Sequence, residues 1–348
     1  MIPQMTPYER VMAAINRESF DVFPVINPTS VATISAMKLA RSYFPVAHTN
    51  ATKMAQLAAV GHDHFGFDSC APYFSIHLEC QALGAIVDWQ DQSNIPYVVH
   101  KPMKKPDDLT IPSNFLQLPE FQVLLKTIDN LKKKYGNHVP IIGKVMGPWT
   151  LAYLLYGVEN LTLDIILEPK KTAQLIRELA VVSTTFAKAQ FSAGADLITW
   201  ADHATADIVS ATVYEKFMLP VHQKAATELN KYGPTILHIC GNVMDRLSYV
   251  AETGFPIFHM DSRNDIQQAT NLVRDKMLLT GSINNPHTLC HGDTSLVKKE
   301  VTRNLQQGIT LISPECALPC NVPTENILTL TKTAHQYTQT DEGILRVF

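Results

Sequence analysis

Short, nearly unbroken apolar runs recur along the chain, bounded by turn residues and separated by segments of helical spacing, a pattern that predicts repeated βα units. Strands are expected at 23–27, 64–68, 139–146, 196–201, 235–240, 255–261, 277–282 and 309–313. Most are continuously apolar rather than alternating, as suits a parallel strand covered on both faces. Between them, Leu175, Leu179, Val182 and Phe186 step by four, three and four and lay one apolar stripe along a helix that Gly194 closes. Residues 242–252 and 265–274 read as compact crossover helices. Thr324, next to Pro323, is expected to cap a last helix over 325–337, and 6–19 to form a helix ahead of the first strand.

Eight strands joined by right-handed crossovers predict the α/β class and a single (β/α)8 TIM barrel with an N-terminal helix. An insertion between the second and third strands carries a hairpin at 85–89 and 97–100. A doubly wound open sheet is the competing architecture, but no Gly-x-Gly-x-x-Gly follows an early strand. The barrel is expected to take residues 1–338 as one domain, leaving 339–348 as a polar tail without fixed structure.

The 348 residues are 46% hydrophobic and 18% charged, and 29 basic against 32 acidic residues give a formal charge of −3. Without a basic surplus, nucleic-acid binding is not expected. No run approaches the ~18 apolar residues of a membrane span, and Met1-Ile2-Pro3-Gln4 does not open a signal peptide, so a cytoplasmic protein is expected. Six cysteines are too few for a disulfide scaffold at this length. Cys70, Cys80 and Cys290 read as small buried hydrophobes, whereas Cys240, Cys316 and Cys320 fall where chemistry is expected.

A barrel of this kind builds its site at the C-terminal strand ends. Those ends bring Asn27, Asp68, Met146, Asp202 with His203, His238 with Cys240, Asp261, Ser282 and Pro314 to Cys316 toward one rim. Strand alternation points His238 and Cys240 to the same face, and Cys316 can reach them from the eighth strand. Three N/S donors with one position open describe a catalytic zinc site, while a buried core His and Cys is the plainer alternative. Asp261 and Cys320 compete as a fourth ligand.

Several segments carry a resemblance: Arg10-Val11-Met12-Ala13-Ala14 with Asp21 and Pro24-Val25, Ala47-His48-Thr49-Asn50, and Met146-Gly147-Pro148-Trp149-Thr150. Ala193-Gly194-Ala195-Asp196, Leu237-His238-Ile239-Cys240-Gly241-Asn242 and Pro323-Thr324-Glu325-Asn326-Ile327 extend it over almost the whole chain. Together they resemble the uroporphyrinogen decarboxylase superfamily, and within it the zinc-dependent corrinoid-protein:coenzyme M methyltransferase branch. The resemblance implies the barrel, zinc on His238, Cys240 and Cys316, and methyl transfer to a thiol such as coenzyme M. The methyl would come from methylcobalamin or a related corrinoid on a partner protein. Tetrahydrofolate or another acceptor, a decarboxylase, and a non-catalytic metal- or tetrapyrrole-binding barrel are the alternatives.

Against decarboxylation, residues 27–33 contain no arginine where that branch grips a polycarboxylate, although Asp68 and Asp261-Ser262-Arg263 resemble its motifs. Under the methyltransferase reading, Asp202, His203 and Asp261 are the expected catalytic or orienting residues. Trp149, Lys144, Arg263 and Asp68 are expected to contact corrinoid or acceptor, with Lys144 or Arg263 meeting an anionic tail. Tyr73 and His77 are placed in the insertion, facing the mouth. Relatives in the branch tend toward Gly-Cys-Gly-Ile-x-Pro at the last ligand, whereas this chain reads Glu315-Cys316-Ala317-Leu318-Pro319-Cys320, with an added thiol and less backbone freedom.

Overall fold

The insertion ahead of the main sheet carries an antiparallel hairpin of β1 (Ile86–Asp88) and β2 (Tyr97–His100), close to the predicted positions. The computed structural model describes residues 4–340 and 343–346; residues 1–3 of the expected N-terminus and 341–342 and 347–348 of the expected tail lie outside the described residues. Six parallel strands follow: β3 (Ile142–Met146), β4 (Leu197–Ala201), β5 (Thr235–Ile239), β6 (Ile257–Met260), β7 (Leu278–Ile283) and β8 (Leu311–Pro314). They hydrogen-bond in sequence order, β3 to β8. Only Leu278 among their residues escapes full burial, which explains why these runs lack polar alternation.

Two short staves close the cylinder. Val25 bridges Ile312 of β8, the Asp68 amide donates to the Val25 carbonyl at 2.6 Å, and Cys70 bridges Ile141 just before β3. The second stave is therefore displaced from the predicted 64–68. Residues 64–67 instead wrap the end of the helix Ala51–Asp63, their amides captured by Val60, His62 and Gly61 carbonyls. Phe65 and Phe67 are buried by that turn, so their apolar spacing imitated a strand.

Other helices also differ in detail. The N-terminal helix is Pro7–Ile15, opened by a capping box between Thr6 and Glu9 and closed where Arg17 takes φ 60°. The predicted 242–252 helix shortens to Leu247–Val250 because Asn242 and Asn264 side chains bind the preceding loop. Pro323, not Thr324, is the N-cap of the helix Thr324–Ala334. The tail expected to lack structure instead forms a second hairpin, β9 (Tyr337–Thr340) with β10 (Gly343–Arg346), anchored where the Phe23 amide meets the Tyr337 carbonyl. Among the described residues no single helix is long and apolar enough to cross a membrane.

The N-terminal helix covers the floor of the barrel. Arg10 Nε and Nη2 grip Asp21 at 2.7 and 2.9 Å, Nη1 reaches Asp68 at 2.5 Å, and Nη2 also donates to the Met5 carbonyl. Asp68 further accepts from the Val25 amide at 2.8 Å and meets His335 Nε2 at 2.8 Å. Asp68 thus lies two residues before the Cys70 bridge, in a saturated ion network at the floor. The structure does not put it at the mouth, where the displaced strand had placed it.

Candidate metal and thiol site

Register fixes the central pair. In β5 the polar His238 sits level with Ala201 of β4 and His259 of β6, and Cys240 follows immediately beyond the strand. His238 Nε2 lies 3.0 Å from Cys240 Sγ and 3.5 Å from Cys316 Sγ, and the two sulfurs are 3.2 Å apart. His238 Nδ1 faces the His259 carbonyl at 3.2 Å, a contact that places the ring proton on Nδ1 and leaves Nε2 with its lone pair toward the sulfurs. His259 is held in turn by the Pro314 carbonyl at 2.8 Å. Zinc takes imidazole nitrogen at ~2.0–2.1 Å and thiolate sulfur at ~2.3 Å, so three such donors gathered within a few ångströms fit that ion.

Cys316 is the more acidic of the two thiols: the hydrogen bond donated by the Cys240 thiol draws it down and outweighs its burial. Cys240 is pushed up first by that same hydrogen bond to Cys316 and then by burial. Gly241 follows at φ 87°, and any side chain there would collide with Arg263 and Thr205, so glycine is required beside the ligand.

His203 completes the group. One of its ring nitrogens, His238 and Cys240 Sγ lie within 4.8 Å of one another, and the His203 and His238 rings are 6.3 Å apart. Tyr153 Oη sits 2.7 Å from His203 Nδ1, and the His203 amide donates to Thr150 Oγ1. Asp202 does not enter the mouth. It is fully buried, accepts from the Thr150 amide at 2.9 Å and pairs with His222 Nε2 at 3.0 Å, while His222 Nδ1 meets Tyr214. Gly147 lets that carboxylate approach, because a Cβ there would overlap it. Asp202 therefore positions the turn that carries His203.

The remaining expected residues separate. Asp261 spends both oxygens on backbone amides, Gly241 at 2.8 Å and Arg263 at 2.9 Å, and so ties the loops after β5 and β6 together. Arg263 is half-exposed and paired with Asp207 at 2.8 Å. Cys320 makes no contact with the two sulfurs among the described residues; its carbonyl caps Ile34 and burial raises its thiol. Trp149 has no exposed surface, so a corrinoid on another protein cannot touch it; it packs the wall behind the site.

Lys144 does reach the interior. It is 4% exposed on β3, its ammonium 4.8 Å from the Tyr73 ring, with no carboxylate at ion-pair distance among the described residues. Burial pulls it down to about 8, against the opposing pull of Cys316, Glu79 and Cys240. Glu79, fully buried, is already engaged by the Tyr73 hydroxyl and the Met146 amide.

Sequence reading misses His259, Tyr153 and His222, and places Glu315 at the rim without a role. Glu315 precedes Cys316 and accepts from the Asn285 and Ser262 amides at 2.7 and 3.1 Å, fixing the ligand loop. The available signal for His259 was its place on β6 opposite His238, which only the strand pairing reveals.

Comparison with known proteins gives the site a family. A methylated-thiol–coenzyme M methyltransferase of Methanosarcina mazei is 30% identical over 328 residues, covering 94% of this chain and 88% of that protein. The methylcobamide:CoM methyltransferase MtbA of Methanosarcina acetivorans is 29% identical, covering 96% and 99%. A solved methyltransferase structure from Methanosarcina mazei superposes with a TM-score of 0.91 at 28% identity, over 95% of this chain and 98% of that one. The family model described as uroporphyrinogen decarboxylase (URO-D) matches residues 6–337, and the chain belongs to that family.

Proposed function

We propose that this protein is a zinc-dependent methyltransferase that moves a methyl group from a methylated corrinoid carried by a partner protein to coenzyme M or a closely similar thiol. The observation that carries the reading is the His238–Cys240–Cys316 cluster at the barrel mouth, with His238 Nδ1 held by the His259 carbonyl. Relatives named for this transfer cover nearly the whole chain.

His238, Cys240 and Cys316 would hold the ion, and His203, with a ring nitrogen within 4.8 Å of His238 and Cys240, would be available as a fourth donor. Bound zinc supplies a Lewis acid that keeps an acceptor thiol deprotonated at neutral pH, where a free thiol of pKa ~8.5 is mostly protonated. Tyr153 holds His203 by Nδ1, Glu315 and Asp261 keep the ligand loops in place, and the buried Lys144 supplies positive charge that the sulfurs feel. The acceptor sulfur forms its bond to the methyl carbon as the carbon–cobalt bond breaks, and that bond's electron pair stays on cobalt.

Decarboxylation of a polycarboxylate fits less well. The turn Asn27–Ser30 is closed on itself through the Asn27 side chain, and the buried arginines Arg10 and Arg246 are committed elsewhere. A reducing, cytoplasmic setting goes with the proposal, since the two sulfurs must stay reduced to act as ligands.

The test is anaerobic: zinc-loaded protein, methylcobalamin and coenzyme M, followed by loss of the methyl–cobalt absorbance. Coenzyme M-dependent demethylation that stops on zinc removal is expected. Its absence with coenzyme M, other thiols and tetrahydrofolate would refute the proposal.

A further inference from the structure

Cys316 stands just past the support that its own strand provides. The last rung between β7 and β8 is the Glu315 amide on the Ile283 carbonyl at 2.9 Å, and among the described residues the chain next donates from Leu318, to the Ser30 carbonyl at 3.2 Å. The sulfur therefore rides on a short arch between two anchors. The turn after β7 grips that arch. Asn285 Nδ2 donates to the Ala317 carbonyl at 2.9 Å, and the Asn285 amide donates to the Glu315 carboxylate at 2.7 Å. One residue thus holds both chain neighbours of Cys316. The Asn284 side chain accepts from the His287 amide at 2.6 Å and opens a π-helical turn over Asn285–Cys290, the wide-ringed form that often marks functional sites.

Cys240 has a matching grip, and the difference between the two is informative. Asn264 Nδ2 donates to the Gly241 carbonyl at 2.9 Å, and Asn264 Oδ1 accepts from the Val243 amide at 2.8 Å. Both asparagines are buried, 4% exposed at Asn264 and 6% at Asn285. Asn264 is satisfied at both ends of its amide, whereas Asn285 Oδ1 is buried without a hydrogen-bond partner among the described residues. One amide–carbonyl hydrogen bond stabilises modestly, and an orphaned buried acceptor costs at least as much. The Asn285 side chain therefore adds little net stability. What it adds is a fixed place for the Ala317 carbonyl, and so for the sulfur one residue before it. A ligand held in place beforehand loses less freedom when a metal binds, and partners of this kind are typically worth 10- to 100-fold in metal affinity.

We infer that Asn285 is a positioning residue for Cys316, holding its sulfur 3.2 Å from that of Cys240 before any metal arrives. This rests on the proposed function, which reads Cys316 as a zinc ligand. Asn285 acts through the backbone on either side of the sulfur and touches neither the metal nor the reacting thiol.

Zinc affinity of the full-length protein, read by competition with a chromophoric chelator, can be set against urea unfolding of the zinc-free form. Asn285→Leu, similar in shape but without a donor, should weaken zinc binding about 10- to 100-fold and leave the urea midpoint near that of the wild type. Asn285→Ser, too short to reach the Ala317 carbonyl, should show the same loss and serves if the leucine variant misfolds. Asn264→Leu should lower the urea midpoint as well, because it strands the Val243 amide. With cobalt(II) in place of zinc, the thiolate-to-metal charge-transfer band should weaken or shift in the Asn285 variants. Folded Asn285 variants that bind zinc as tightly as the wild type, or that lose affinity only in step with a fall in urea midpoint, overturn the inference and leave methyl transfer standing. Zinc uptake that depends on Asn285 in a protein that never demethylates methylcobalamin refutes methyl transfer and leaves the positioning role standing. A wild-type protein that takes up no zinc overturns both.

Discussion

At the floor of the barrel Arg10 divides its donors among Asp21, Asp68 and the Met5 carbonyl, and Asp68 also takes His335 and the Val25 amide. Among the described residues Lys144 has no carboxylate at ion-pair distance and His48 and His77 each keep an orphaned ring nitrogen, while at the mouth two sulfurs face each other at 3.2 Å. Both ends are buried and both are polar. The floor is saturated by the chain's own groups, which is what stability requires. Among the described residues the mouth gathers three soft donor atoms that lean on one another, which is what binding requires.

The contrast can be broken most forcefully by exchanging which end is damaged. Arg10→Met strands Asp21 and Asp68 and should cost about 3–5 kcal/mol in urea unfolding, the loss typical of a buried charge deprived of its partner. Zinc stoichiometry of the folded fraction should be unchanged. Cys240→Ala should do the reverse: zinc content falls to background while the stability of the zinc-free protein changes by about 1 kcal/mol or less. If Arg10→Met also empties the metal site, or Cys240→Ala unfolds the chain, the two ends are not separable as described.

Acid sharpens the comparison more gently. Burial pushes Asp21 up, but hydrogen bonds from Arg10 and the Met5 amide outweigh it and hold the folded carboxyl at about 2 against 3.8 when unfolded. A depressed folded pKa contributes stability that is present above pH 3.8 and lost as pH falls toward 2. Stability should therefore drop through that window in the native protein, and Arg10→Met should flatten the drop. An identical acid profile in both proteins would remove Asp21 from the account.

Much of the mouth was legible in the sequence because period-2 alternation is a local rule. His238 and Cys240 share a face for that reason, and Cys316 follows a run that could only be the last strand. The floor was less legible. The apolar spacing of Phe65 and Phe67 reads as a strand that would carry Asp68 to the mouth, yet the carbonyls of Val60 and Gly61 hold that stretch as a helix end. Partners distant in sequence were also hidden. His259 supports His238 across 21 residues, and Asp202 meets His222 on the outer helix Leu219–Leu229, contacts set by strand register and helix packing rather than by spacing. His48, from the short helix Val46–Thr49, and His77, from the insertion, meet over Trp89, a convergence that no local period encodes.

On the proposed function, His238, Cys240 and Cys316 hold zinc at the mouth with one exchangeable position. X-ray absorption at the zinc edge reads that donor set directly. Two sulfurs with nitrogen donors are expected in the resting protein, and a third sulfur when coenzyme M is added. A shell of nitrogen and oxygen only, or a sulfur count that coenzyme M leaves unchanged, would contradict it.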